Sequence, residues 1–204
     1  ARNYGITLFV RSSWSNKPGT KLTSESNREI GLAGLELGRP VDGVELLEDQ
    51  AVIALSHLPD KPGIAAKLFE ELSTGEINVD LIIQSTHAGN SNDITFTVDE
   101  ENLEKAESLC KKMLSSIGGT LCAEKGMSKL SINGAGIMGR PGIAASLFDK
   151  ISREGINLRL IATSEVKVSC VIDKTLGNKA LRAVASAFDL SENQIQLNPT
   201  NKPI

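Results

Sequence analysis

Two stretches of the chain carry the same arrangement for holding a small charged molecule. Lys61-Pro62-Gly63 and Arg140-Pro141-Gly142 each follow an apolar run and open a segment whose apolar residues recur at helical spacing. Proline in the first helical turn forfeits no hydrogen bond. The free N–H groups beside it, with the helix dipole, favour an anion by about 0.3 to 1 kcal/mol. A small carboxylate suits such a place. Asp60 directly precedes the first start and can pair with an ammonium, while Gln84, near the end of the next predicted strand, offers a donor and an acceptor to a polar side chain. Together they describe an α-amino-acid pocket; the plainer alternative makes Asp60 a helix cap and leaves Gln84 solvated. At the second start Arg140 replaces Lys61 and Gly139 replaces Asp60, so the ammonium partner is lost. Thr163, Ser164 and Glu165 add hydroxyls and a carboxylate there, with Glu165 either serving a basic side chain or standing as a surface acid at a strand end.

Other chemistries are poorly supported. Gly134-Ala135-Gly136-Ile137-Met138-Gly139 matches a dinucleotide fingerprint, but Pro141 starts the helix only after the last glycine and the sister loop "SHLPDK" has no glycine. No Walker loop, nucleophile elbow or zincin motif occurs. Cys110, Cys122 and Cys170 fall at neither metal nor redox spacing and are expected as core filler, and His57 and His87 are too few for a histidine-rich metal site. Asp42, Glu45, Glu48 and Asp49 form an acidic stretch expected at a solvated strand edge and turn. With 22 basic and 25 acidic residues the chain lacks the positive field of a non-specific nucleic-acid binder, and seven aromatics leave little to stack bases on. No apolar run approaches the roughly 20 residues of a membrane span, so a cytoplasmic protein without nucleic-acid or membrane partners is expected.

The elements that position these residues come from an internal repeat. "KPGIAAKLFEELSTGEINVDLIIQST" at 61–86 returns as "RPGIAASLFDKISREGINLRLIATSE" at 140–165, with Pro62 and Pro141 standing 79 residues apart. A shortened loop then reduces the offset to 74, which pairs Asp99 with Asp173. In the first copy "AVIALSHL" predicts a strand, Ile64 to Leu72 a helix, Val79 to Ser85 and "DITFTV" two strands, Leu103 to Leu114 a helix and "TLCAEK" a last strand. The second copy predicts the same β-α-β-β-α-β order. The fold class is therefore α+β, with two ferredoxin-like modules, each an antiparallel sheet with helices on one face. Before them come a strand in "ITLFVRSSW", a polar linker in "TSESNREIG" and an extended piece in "VDGVELLED".

Together "VRSSWSNKPGTKL", "LPDKPGIAAKLFEEL", "INVDLIIQS", "NDITFTV", "GRPGIAASLF" and "GINLRLIATSEVKVSCVI" resemble the C-terminal regulatory region of aspartokinase, with its pair of ACT domains, in wording most similar to cyanobacterial forms. The resemblance implies that residues 1–41 are the end of an amino-acid kinase domain plus a linker, 51–126 the first ACT unit, and 42–50 with 127–198 the second. The chain is then an excised region or a β-type subunit, inactive alone. ATP and Mg²⁺ belong to the parent kinase domain, which phosphorylates L-aspartate, and this chain needs no cofactor of its own. Implied partners are L-threonine, L-lysine or both, the catalytic domain or α subunit, and a second copy in a homodimer. Implied effector residues are Asp60, Gly63, Ile64, Ala65 and Gln84, with Asn157 and Leu158 from the opposing second unit across a subunit interface. Met138, Arg140, Thr163, Ser164 and Glu165 correspond to a second effector segment. A ligand-free ACT dimerisation module is the alternative.

Overall fold

The structure, a computed structural model, describes residues 8–12, 14, 19–22, 40–87, 91–135, 137 and 140–198. A short ladder of β1 (Leu8–Val10) and β2 (Thr20–Leu22) stands apart from the rest. The main sheet is organised around two long neighbours, β3 (Gly43–Pro59) and β6 (Thr120–Asn133), which run antiparallel from Gly43 opposite Asn133 to Ser56 opposite Thr120. One end of this pair forms the first βαββαβ unit with α1 (Ile64–Thr74), β4 (Ile82–His87), β5 (Ser91–Asp99) and α2 (Leu103–Ile117), in strand order β4-β5-β3-β6. The other end forms the second unit with α3 (Ile143–Arg153), β7 (Leu160–Thr163), β8 (Lys167–Asp173), α4 (Gly177–Ala187) and β9 (Ile195–Asn198).

The beginning of β3 lies inside the second unit's sheet. Val44 to Leu47 pair with β6 on one side and, in parallel, with Ile195 to Asn198 of β9 on the other. The acidic stretch is thus interior to the sheet rather than at a solvated edge. Val44 and Leu46 are buried, and Glu45, on the opposite face, is half-buried against Lys167 at 3.1 Å. Burial alone would raise the Glu45 pKa, but the hydrogen bond and charge of Lys167, with Lys129 and Asn198, bring it below the ordinary carboxylate value.

Each unit has its own core on the same face of the sheet. Leu68 and Leu72 of α1 and Ala106, Cys110 and Met113 of α2 pack on Ile53, Leu55, Ile94 and Phe96. Leu147 and Ile151 of α3 and Ala180, Leu181 and Val184 of α4 pack on Leu46, Leu130, Ile132 and Cys170. In β3 the core-facing residues are even-numbered at Val44 and Leu46 but odd-numbered at Ala51 and Ile53. An unbroken strand would therefore send the two helix pairs to opposite faces. Compensating irregularities prevent this: β3 carries an extra residue between Leu47 and Gln50, where Asp49 has φ +56°, and β6 carries one opposite Gln50 to Val52, where Gly126 has φ +72°. Glu100 accepts the Gly126 N–H at 3.1 Å and Lys174 binds Asp49 at 2.5 Å, holding both bulges.

The other face carries Val52, Met127 and Val171 with buried Lys129, which pairs with Asp80 of the first unit. Arg159, the repeat counterpart of Asp80, pairs with Glu124 at 3.5 Å. Two expectations need correction. Cys122 is exposed while Cys110 and Cys170 are buried, because Cys122 sits on the face away from the core of β6's outer end. The strand foreseen from Val79 begins at Ile82, since Val79 is instead drawn into the first core. The polar linker "TSESNREIG" lies outside the described residues. Among the described residues no helix is long and apolar enough to cross a membrane.

Candidate functional site

β3 ends at Pro59 and the chain turns through Asp60 to Gly63 into α1, with the Lys61 N–H donating to the Pro59 carbonyl at 2.9 Å. Gly63 is the N-cap residue, with φ 96° and ψ −12°, and no side chain caps the helix. Helix capping by Asp60 is therefore not its role: Asp60 Oδ1 accepts from Asn92 Nδ2 at 2.8 Å. A cleft of about 330 Å³ opens at this corner, lined by Asp60 to Ala65, Gln84, Asn92 and Ile94. All five first-copy residues singled out in the sequence, Asp60, Gly63, Ile64, Ala65 and Gln84, border it. Its floor comes from cross-strand registry. Gln84 stands opposite Ile94, and Asn92 lies two residues away on the same face. The cleft thus presents a carboxylate, a primary amide and uncapped helix N–H groups within one small volume.

A third bulge makes this registry possible. Between Leu55 and Leu58 β3 carries an extra residue against β5, and His57 takes φ +59°. The slip turns Leu58 into the core opposite Asn92. Asp93, pointing the other way, accepts the His57 N–H at 2.9 Å and pairs with His87 at 3.0 Å. The His57 N–H, then the His87 side chain, hold the Asp93 carboxyl below its ordinary pKa. Asn92 and Asp93 were missed by sequence reasoning. Both sit in a loop-and-strand segment whose length differs between the copies, so the repeat gave them no counterpart to draw attention.

The remaining sequence-predicted residues lie elsewhere. Asn157 is exposed and Leu158 half-buried in the connection from α3 to β7, and neither borders the cleft in this chain. Arg140 precedes α3, whose N-cap Gly142 repeats the first start with φ 98° and ψ −14° and again no side-chain cap. Thr163 ends β7, and Ser164, Glu165 and Val166 form the exposed turn to β8, closed by the Ser164 N–H to the Lys167 carbonyl at 2.8 Å. Met138 lies outside the described residues, as do Gly136 and Gly139 of the glycine-rich loop. Because β3 and β6 run antiparallel, the two helix starts occupy opposite ends of the shared ladder.

Among the described residues no group of three or more His, Cys, Asp or Glu side chains is placed to hold a metal ion. A second cleft lined by Asp49, Asp99, Glu100 and Glu101 is acidic, but Lys174, Gln50 and the Gly126 N–H already engage the first three. Burial pushes the Cys110 thiol up to about 11, with Glu107 adding, and that of Cys170 to about 12, so neither is a nucleophile.

The ACT domain family model matches residues 54–114 and 130–188. An aspartokinase of Thermus thermophilus is 38% identical over 194 residues, which are 94% of this chain and 46% of that protein. The crystal structure of aspartate kinase from Synechocystis superposes with a TM-score of 0.78 at 44% identity, over 100% of this chain and 35% of that one. The ligand-free regulatory subunit of aspartate kinase from Thermus thermophilus gives a TM-score of 0.68 at 38% identity, over 73% of this chain and 99% of that one. The chain therefore spans about half the length of the full relatives it matches.

Proposed function

The chain belongs to the ACT domain family, and on that footing we propose that it is the regulatory, effector-sensing region of an aspartate kinase. The observation that carries this reading is the convergence of Asp60, Gly63, Ile64, Ala65 and Gln84 on one cleft. An α-amino acid complements it group by group: the carboxylate faces the uncapped N–H groups of α1, the ammonium faces Asp60, and Gln84 meets a hydroxyl or amine on the side chain. L-Threonine and L-lysine are the effectors proposed. Asn157 and Leu158 complete the cleft from the second unit of another chain, and Met138, Arg140, Thr163, Ser164 and Glu165 form the second effector site. The edge strands β4 and β7 carry exposed Ile82 and Ile161 at equivalent positions of the repeat, which favours pairing of sheets between two copies.

In the parent enzyme the γ-phosphate of ATP passes to the side-chain carboxylate of L-aspartate in a separate catalytic domain, where ATP and Mg²⁺ act. The contribution of this region is a coupling free energy. An effector that binds one packing of the paired sheets more tightly shifts the population toward it, typically by about 1 to 3 kcal/mol. Isothermal titration of the chain with L-threonine and then L-lysine, alongside light scattering, tests the proposal. Binding with a concentration-dependent gain of dimer is expected, and Asp60→Ala should abolish most of it. No heat with either amino acid at millimolar concentration refutes effector sensing and leaves a dimerisation module.

A further inference from the structure

The two units meet at a seam on the sheet face away from the helices. Val52 and Leu81 of the first unit pack there on Met127, Val171 and Leu160 of the second, a small apolar seal beside two separate cores. Charge pairs tie the units around it. Asp80, in the segment from α1 to β4, reaches Lys129 on the second unit's part of β6. Arg159, in the segment from α3 to β7, reaches Glu124 on the first unit's part of β6 at 3.5 Å. The pairs cross the seam in opposite directions, with both carboxylates on the first unit and both cations on the second.

The repeat marks this contact as specified. It keeps Leu81 and Leu160 at the offset of 79 but inverts the charge of Asp80 and Arg159, and at the offset of 74 it inverts that of Glu100 and Lys174. Two first units packed in the same way would set Asp80 against Glu124, so the charges select a first unit for a second. The strands shared by the units, β3 and β6, both lose regular pairing at this level, between Leu47 and Val52 on one and Glu124 and Lys129 on the other. Bodies with their own cores, joined through bulged strands and a largely polar contact, are expected to move against each other. The segment that carries Asp80 also joins α1 to β4, and the first cleft lies between the start of α1 and Gln84 of β4. A molecule that grips both elements fixes that segment between them.

We propose that the seam is a latch: the Asp80–Lys129 and Glu124–Arg159 pairs hold it closed, the units swing apart about the bulges at Asp49 and Gly126, and an amino acid in the first cleft keeps it shut. The ligand half rests on the amino-acid-sensing function above; the latch does not.

Mass-spectrometric footprinting of the full chain with an amine-acylating reagent, and in parallel with a thiol reagent, tests both halves. The Lys129 side chain is 10% exposed and reacts when the seam opens, whereas buried Cys110 and Cys170 report unfolding of the first and second core. With each rate normalised to that of the unfolded chain, Lys129 should be less protected than either thiol. Glu124 pairs with Arg159 rather than Lys129, yet Glu124→Gln should speed Lys129 acylation by about two- to fivefold, the loss of one partly exposed ion pair. Glu124→Lys should speed it further, and the charge swap Glu124→Lys/Arg159→Glu should bring it back toward wild type, with both thiol rates unchanged. L-Threonine or L-lysine at ten times the dissociation constant found by calorimetry should slow Lys129 acylation by about three- to tenfold, because a ligand held by the closed state alone depletes the open one. Lys129 protection equal to that of the thiols overturns the latch, and so does a Lys129 rate that the Glu124 variants leave unchanged or that the charge swap fails to restore. Binding heat with an unaltered Lys129 rate overturns the coupling to the cleft. A chain that binds neither amino acid refutes effector sensing and that coupling with it, while the ligand-free variants still decide the latch.

Discussion

Replacing Gly63 by alanine isolates the cost of the backbone conformation that starts α1. A Cβ built at Gly63 meets nothing within 4 Å, and the same holds at Gly142, so steric crowding does not enter. What remains is the backbone itself: φ is +96° at Gly63 and +98° at Gly142, where an L side chain costs about 1 to 2 kcal/mol. The unfolded chain works partly against this, because alanine has less conformational freedom to lose than glycine. A net destabilisation of about 1 kcal/mol is expected for each variant. With a urea m-value of about 1 to 3 kcal/mol/M, the unfolding midpoint should fall by roughly 0.3 to 1 M at constant slope. Asparagine, which tolerates positive φ better, should recover part of the loss at either site. The two positions stand at opposite ends of the β3–β6 ladder, so a double alanine variant should show the sum of the single effects. Equilibrium urea unfolding followed by far-ultraviolet circular dichroism measures all of these. An alanine variant as stable as the wild type, or more stable, would show that the turn relaxes to a negative φ without cost, and the account of both helix starts would be wrong.

Leu46→Ala removes a fully buried side chain from the inserted part of β3 and should cost about 3 to 5 kcal/mol in the same assay; a cost below about 1 kcal/mol would mean the strand is dispensable to the second core. A mild thiol reagent at neutral pH should label Cys122 alone in the folded chain, with Cys110 and Cys170 reacting only on unfolding, and mass spectrometry showing early modification of Cys170 would contradict its burial. Glu45 has a depressed pKa in the folded state, so its contribution to stability is present above the unfolded carboxylate value and fades as pH falls through the lower folded one. Glu45→Gln should accordingly flatten the stability profile on the acid side of about pH 4.5 and leave its alkaline side unchanged, as urea midpoints across pH would record. Asp80→Ala strands the buried ammonium of Lys129 and should cost about 1 to 3 kcal/mol, whereas adding Lys129→Met should restore most of the loss.

The helices and the two starts were legible because their signals are local: Pro-Gly pairs, apolar residues at helical spacing, and a repeat that states each signal twice. The cleft followed from them, since Asp60 adjoins one start and Gln84 ends the next strand. The bulges at Asp49, His57 and Gly126 were not legible. Each depends on which residues face one another across strands far apart in sequence, and aspartate and histidine at positive φ carry no mark of it. Asn92 stayed hidden for the same reason: its importance comes from Asp60, 32 residues away, and from a registry that the His57 bulge creates. From the residues alone the start of β3 looked like a solvated edge because its flanking partners, β6 and β9, lie about 90 and 150 residues further on.

That separation sets an order of events during synthesis. Gly43–Leu47 leaves the ribosome before either strand that will flank it, and β9 follows about 150 residues later. At about 5 to 20 residues per second the wait is roughly 8 to 30 s. Residues 51–124 supply every strand and helix of the first unit, which can close during this interval, while Val44 and Leu46 remain a short apolar strand with both edges open. The nascent chain therefore passes through a stage with one finished module and one exposed pairing edge. Chaperone demand and misassembly between neighbouring polysomal chains should concentrate there, and a deletion of Ile195–Asn198 would leave that edge open for the life of the protein.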